Sequence, residues 1–280
     1  MLPSLYRVLT AAAAPIVLLG LGWRRRRGKE DRARFGERLG TPGGARPTAP
    51  LVWVHAASLG EATSVLALIE RVTQDRPGIE ILITTGTVAS AHLIEQRLPP
   101  RVRHQFVPVD LPRAVDRFLD HWHPDLAVWV ESELWPNLVL ATYRRGIPMA
   151  LINGRLSARS YARWLATPGL ARPILSSFAL CLAQDGEQAR RFRELGAVTA
   201  DSVGDLKAVA EELPADPAAL AELRRQIGER PVWLAASTHP GEEEIVAAAH
   251  RRIAANHAGV LTIIAPRHPV RGQTIAAGMR

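Results

Sequence analysis

An α/β fold with a parallel sheet covered on both faces is predicted by three observations. From residue 51 onward, short runs rich in Val, Ile, Leu and Trp alternate with stretches of helical periodicity. The short runs are mostly apolar, as strands buried on both faces are. The 280-residue chain is 47% hydrophobic and 22% charged, a globular composition that excludes a disordered chain.

The elements follow in order. Residues 5–23 are almost wholly apolar, Arg7 being the one charge, and Arg24–Arg27 and Lys29 come directly after. A helix of ~18 residues spans ~27 Å, enough to cross a membrane marginally or to lie in its interface. A cleaved signal peptide carries its charges ahead of the apolar stretch, whereas here the cluster follows it. The positive-inside rule puts the basic flank, and so the body of the protein, in the cytoplasm. Each cation near an anionic surface contributes about 1 kcal/mol.

Residues 41–50 are Pro- and Gly-rich and read as a loop. Strands are then expected at 51–55, 79–84, 104–108, 126–130, 149–152 and 179–183, with helices at 61–73, 88–97, 112–121, 135–145 and 187–195. The Pro- and Ala-rich stretch 208–218 reads as an interdomain connection. A second block follows, with helices at 220–227 and 242–255 and strands at 232–236 and 260–265. A sheet of about two strands buries no core of its own, so this block reads as the opening of a second α/β domain and the chain as a fragment.

Open parallel sheets bind ligands beyond the carboxyl ends of their strands. After the first strand comes His55-Ala-Ala-Ser58-Leu59-Gly60-Glu61, where Gly60 permits a tight turn. Glu61 reads either as a first-turn carboxylate complementing the helix dipole or as a general base. After the fourth strand, Glu131 and Glu133 precede Trp135 and Pro136, and they read equally as helix-end charges or as site carboxylates. Trp135 reads as core. After the fifth, Arg155 and Arg159 among hydroxyl residues suit a phosphate or carboxylate, or a pair of ion pairs. In the second block, Ser237, Thr238 and Glu242 open a helix whose free amides suit an anion. Pro266, Arg267 and His268 follow the next strand, with Arg267 a phosphate clamp or a solvated loop charge.

The net charge of +8 points to anionic partners. No aromatic stacking motif accompanies the basic residues, so nucleic acid is not among them. The one cysteine, Cys181, lies in an apolar run and reads as a buried thiol, and a zinc cluster built on thiolates is excluded. Walker A, GxGxxG, GxSxG and HExxH patterns are absent.

Seven strings occur in order: RFGERLG, HAASLGEATSVLALIE, ESELWPN, NGRLSARS, GDLK, ASTHPGEEE and APRHPVR. Together they resemble the 3-deoxy-D-manno-octulosonic acid (Kdo) transferases of lipopolysaccharide assembly. The resemblance implies a GT-B fold, two Rossmann-like domains facing across a cleft, the second incomplete here. It implies boundaries at 1–27 for a membrane anchor, 28–207 for the acceptor domain and 208–280 for the start of the donor domain. It implies inverting transfer of Kdo from CMP-Kdo to lipid IVA at the cytoplasmic face of a bacterial inner membrane, with no metal or other cofactor. Glu61 becomes the general base. Ser58, Gly60, Glu131 and Arg155 fall to the acceptor side, and Pro266, Arg267, His268, Ser237, Thr238 and Glu242 to the CMP side. The family's further CMP contacts, in GEL and GGHNxLEP segments, have no counterpart here, and GDLK stands where Gly-Asn-Leu-Lys or Gly-Ser-Leu-Lys is commoner. Two other readings are a GT-B enzyme using a UDP-sugar and a membrane-anchored acceptor-binding fragment without activity.

Overall fold

The computed structural model describes residues 2–209 and 215–278, which form two compact units divided near residue 211. The first opens with helices α1 (Leu2–Ala12) and α2 (Ala14–Arg26), bent by 57° at the break between them. One continuous helix was expected here, and Pro15 explains the break. It has no N–H to offer the Ala11 carbonyl, and its ring crowds that carbonyl. No single helix among the described residues is long and apolar enough to cross a membrane.

α1 is docked with its polar side inward. The Tyr6 hydroxyl donates to Asp110 at 3.0 Å, Arg7 pairs with Asp116 at 2.8 Å, and Asn137 Nδ2 donates to Thr10 Oγ1 at 2.9 Å. Leu5, Val8 and Leu9 point outward and are 53%, 64% and 58% exposed. On α2, Ala14, Val17 and Leu21 pack against Val109, Leu111 and Ala114, while Ile16, Leu19 and Trp23 stay exposed. A 3-10 turn at Phe35–Leu39 then covers the sheet edge. Within it, buried Glu37 accepts from the Phe106 N–H at 2.7 Å and from Arg34 at 2.8 Å.

The sheet and its helices follow: β1 (Leu51–His55), α3 (Leu59–Asp75), β2 (Glu80–Thr85), α4 (Val88–Glu95), β3 (Val102–Phe106), α5 (Pro112–Trp122), β4 (Leu126–Val130), α6 (Pro136–Arg144) and β5 (Met149–Gly154). Then come α7 (Ala158–Leu165), α8 (Pro168–Leu175), β6 (Leu180–Ala183), α9 (Gly186–Leu195), β7 (Ala200–Ser202) and a 3-10 turn at Leu206–Val209. All seven strands are parallel, in the order β3-β2-β1-β4-β5-β6-β7. The order reverses between β1 and β4, and such a reversal opens a crevice at the carboxyl ends of the strands.

The apolar runs alternate between two cores. Leu51, Trp53 and Trp129 face one side, where Phe118 and Phe178 join them, with ring centroids 4.8 Å apart for Trp53–Trp129. Val54, Ile81 and Ile83 face the other, against Val65, Leu66 and Ile69 of α3. Cys181 is buried in the first core, and burial pushes its thiol up to about 12. Helices α7 and α8 and strand β7 were not expected. They have eight, eight and three residues, too few to show a period.

The second unit contains α10 (Pro217–Ile227), β8 (Val232–Thr238), α11 (Glu242–Ala254), β9 (Leu261–Pro266) and α12 (Gly272–Gly278). β8 and β9 are parallel. Its apolar side chains, Leu234 among them, remain partly or largely exposed, as a two-stranded sheet dictates. Residues 210–214 of the expected connection lie outside the described residues.

Candidate functional site

The reversal between β1 and β4 brings together the two acidic segments singled out in the sequence. Ser58 is the N-cap of α3, and its Oγ accepts from the Glu61 N–H at 3.2 Å. The Ser58 hydroxyl donates back to Glu61 Oε1 at 2.7 Å, and the Ala57 N–H donates to Glu61 Oε2 at 2.8 Å. This is a variant of the capping box, with the carboxylate on the N–H before the N-cap residue, so the helix-end reading of Glu61 is structurally sound. It does not exhaust the residue. The carboxyl is buried, only 6% exposed, and its pKa is raised. Burial is the main cause, opposed by the Ser58 hydrogen bond and reinforced by Glu133 and Glu131. A carboxylate placed at a strand end, ordered by two donors and pushed toward neutrality, is suited to take a proton.

Glu131 follows the last residue of β4 with a left-handed φ of 60°, and its N–H donates to the Ile152 carbonyl at 3.0 Å. A non-glycine residue in that region is uncommon and concentrates at functional turns. Glu133 accepts from the Trp135 indole N–H at 2.8 Å. Trp135 is partly buried and lies edge-on to His55, with centroids 6.1 Å apart. His55 is fully buried and held down to about 3, chiefly by burial and then by Arg38.

β5 ends one strand over. Asn153, also left-handed at 53°, is buried and accepts from the Leu206 N–H at 3.1 Å through Oδ1. This bond folds the GDLK segment back over the carboxyl end of the sheet, where its 3-10 turn lies against α3. Sequence reasoning quoted both strings but missed Asn153; an Asn at the end of an apolar strand, just before Gly, is the signal for such a turn. Gly154 has no room for a Cβ, which would meet Phe192 at 2.7 Å. Arg155 and Arg159 are exposed and form no ion pair among the described residues, so the structural ion-pair reading falls away.

In the second unit, β8 and β9 end side by side, with Thr238 opposite Pro266 and the Arg267 N–H donating to the Thr238 carbonyl at 3.0 Å. Ser237 is left-handed at 59°. The Thr238 hydroxyl is turned inward and donates to buried Glu243 at 2.9 Å, and Arg271 pairs with Glu243 at 2.9 Å. Glu243 and Arg271 are thus the inner pair of this strand end, and the sequence reading gave neither a role. Glu242 is exposed and accepts from the His239 N–H at 2.7 Å. Three glutamates crowd the first turn of α11, so its amides face carboxylates of their own chain, which weakens the expected anion site there. Arg267 and His268 are exposed.

Residues 33–210 match the family described as "3-Deoxy-D-manno-octulosonic-acid transferase (kdotransferase)". This chain belongs to the Kdo transferase family. Among its relatives, the probable mitochondrial 3-deoxy-D-manno-octulosonic acid transferase of Arabidopsis thaliana is 39% identical over 99% of this chain and 63% of its own length. The 3-deoxy-D-manno-octulosonic acid transferase of Haemophilus influenzae is 34% identical over 97% of this chain and 64% of its own length. The chain therefore spans under two thirds of these Kdo transferases. Its fold is similar to that of UDP-GlcNAc 2-epimerase from Neisseria meningitidis bound to UDP-GlcNAc, with TM-score 0.58 and 11% identity over 82% of this chain and 69% of that one. The S. aureus MnaA-UDP co-structure gives 0.57 and 11% over 82% and 65%. At that identity the likeness speaks for the α/β fold alone.

Proposed function

We propose that this Kdo transferase moves Kdo from CMP-Kdo to lipid IVA with inversion, using Glu61 as general base. The observation that supports this best is the Glu61 carboxyl itself, buried at the strand-order reversal, bonded to Ser58 and Ala57, and raised in pKa. In this reading Glu61 takes the proton of the acceptor hydroxyl as its oxygen bonds to the anomeric carbon. The C–O bond to the CMP phosphate breaks and its electron pair leaves with CMP. Such proton transfer typically contributes ~10²–10⁴-fold. Ser58, Gly60, Glu131, Arg155 and Arg159 bound the acceptor side, the two arginines meeting its phosphates. Pro266, Arg267, His268 and Ser237 serve the donor, with Arg267 opposing the CMP phosphate and no metal required. Thr238 and Glu242 act there through the backbone they hold. In this reading the first unit belongs to the acceptor domain and the second to the donor domain of a GT-B enzyme.

The helix pair α1–α2 belongs to the same reading, as a surface that lies in the membrane interface at the cytoplasmic face. Its outward apolar side chains, followed by Arg24–Arg27, have the pattern of an interfacial segment, and its inward polar contacts tie it to the body of the protein. Incubating the protein with CMP-Kdo and lipid IVA and weighing the lipid by mass spectrometry tests the activity. A gain of one or more Kdo residues, suppressed by CMP and not by UDP, is the expected result. Transfer from a UDP-sugar instead would overturn the donor assignment, and lipid IVA binding without transfer would favour an acceptor-binding fragment.

A further inference from the structure

The elbow between α1 and α2 does more than turn the chain. It opens a cavity of about 470 Å³ against the start of α5, within the ~300–1,000 Å³ typical of small-molecule sites. Its walls include Ala11, Ala14, Leu18, Leu39 and Leu111, all apolar. Exposed Arg113 and Arg117 also line it. Arg117 donates to the Leu39 carbonyl at 3.2 Å, whereas Arg113 has no ion pair among the described residues. A second groove of about 480 Å³ adjoins the first and shares Leu18 with it. That groove has the same make-up, with Phe35 beside Arg25, Arg26 and Arg32. Leu18, common to both grooves, is itself exposed on α2, as are Ile16 and Leu19.

We infer that the elbow cavity takes one acyl tail of an anionic phospholipid from the bilayer, with the lipid phosphate on Arg113 and Arg117. The inference rests on the membrane-facing reading of α1–α2 given above. Two features select this occupant. The cavity has apolar walls with guanidinium groups beside them, which complement a molecule that is apolar along its length and anionic at one end. It also adjoins a surface whose exposed side chains are apolar and whose flank is basic, so a lipid tail is the apolar chain that such a surface would meet.

The test uses the whole protein with two probes: vesicles of phosphatidylglycerol in phosphatidylcholine, and monomeric lysophosphatidylglycerol followed by native mass spectrometry and titration. Ala11→Trp fills the cavity from an exposed position, and circular dichroism checks its fold. The expected result is saturable one-to-one binding of lysophosphatidylglycerol. In Ala11→Trp that binding weakens about tenfold, the loss that follows when roughly two methylenes lose their burial. In Arg113→Ala the preference for lysophosphatidylglycerol over lysophosphatidylcholine falls. Equal affinity of Ala11→Trp and the parent, with vesicle binding intact, would overturn the cavity and leave the interface reading standing. Failure of the parent to bind vesicles at all would overturn both. Binding of lipid IVA in the cavity while lysophosphatidylglycerol does not bind would overturn the phospholipid as occupant.

Discussion

Ser58 and Glu61 hold each other in both directions: the serine oxygen accepts from the glutamate's N–H at 3.2 Å, and the serine hydroxyl donates to its carboxylate at 2.7 Å. The first bond caps α3, and the second draws down the pKa of the proposed base against the burial that raises it. Glu61→Gln keeps the acceptor oxygen of the cap but cannot take a proton. Transfer should fall by ~10²–10⁴-fold with the fold retained. Near-normal rates would end the assignment.

Ser58→Ala removes the hydrogen bond that most lowers the Glu61 pKa. Glu61 must be ionised to act, so activity is lost as pH falls through its raised pKa. In Ser58→Ala the acidic limb of kcat/KM should move to higher pH, along with a loss of about 1 kcal/mol of stability from the cap. A pH–rate profile that stays in place, or moves to lower pH, would show that Ser58 does not tune the base.

Arg155→Ala combined with Arg159→Ala should raise the KM for lipid IVA by roughly tenfold and leave kcat little changed. A dephosphorylated acceptor is the control. An equal loss with that acceptor would mean that the arginines do not meet its phosphates.

Buried His55 and His104 are each held down to about 3, mainly by burial and then by Arg38 and Arg34. Both are neutral in the fold and gain a proton readily only when unfolded. Stability is thus complete above the free histidine pKa near 6.5 and declines as pH drops toward about 3. At about pH 5 each histidine costs about 2 kcal/mol. Urea midpoints measured at about pH 7.5 and about pH 5 should differ less in His104→Gln than in the parent. An unchanged difference would refute the contribution of His104.

Gly40 has φ 80°, and a Cβ there would lie 2.0 Å from the Ala114 carbonyl oxygen. Gly40→Ala should cost about 3 kcal/mol, combining left-handed strain with backbone overlap. Gly44→Ala, with nothing within 4 Å, should change the urea midpoint little.

Most of the sheet was legible because most of its strands are apolar on both faces; β3, with Arg103, His104 and Gln105 in it, was expected two residues late, at 104–108. The run 126–130 and strand β4 coincide residue for residue. The acidic site was legible for a related reason: Glu61 and Glu131 each follow such a run, and the topology then had only to place β1 beside β4. What stayed hidden depends on contacts far along the chain. Asp110 accepts from the Asn137 and Leu138 N–H groups at 3.1 and 2.9 Å, so it caps α6 from 27 and 28 residues away. No local pattern announces that. Glu243 and Glu242 are neighbours of one type, and only the fold shows which one turns inward to Arg271. The N-terminal segment misled for the opposite reason. Its mean hydropathy suggested one helix, whereas Pro15 breaks it and Tyr6, Arg7 and Thr10 reveal which side faces the protein.

That inward side has a kinetic consequence. Thr10, Asn137 and Asp110 form one chain of hydrogen bonds, so α1 is coupled to the segment that begins with Glu131. With α1 resting in a bilayer, the proposed acceptor carboxylates would sit at a constant height above it. A lipid substrate would then find them by diffusing in a plane rather than through a volume, and its tails need never leave the leaflet.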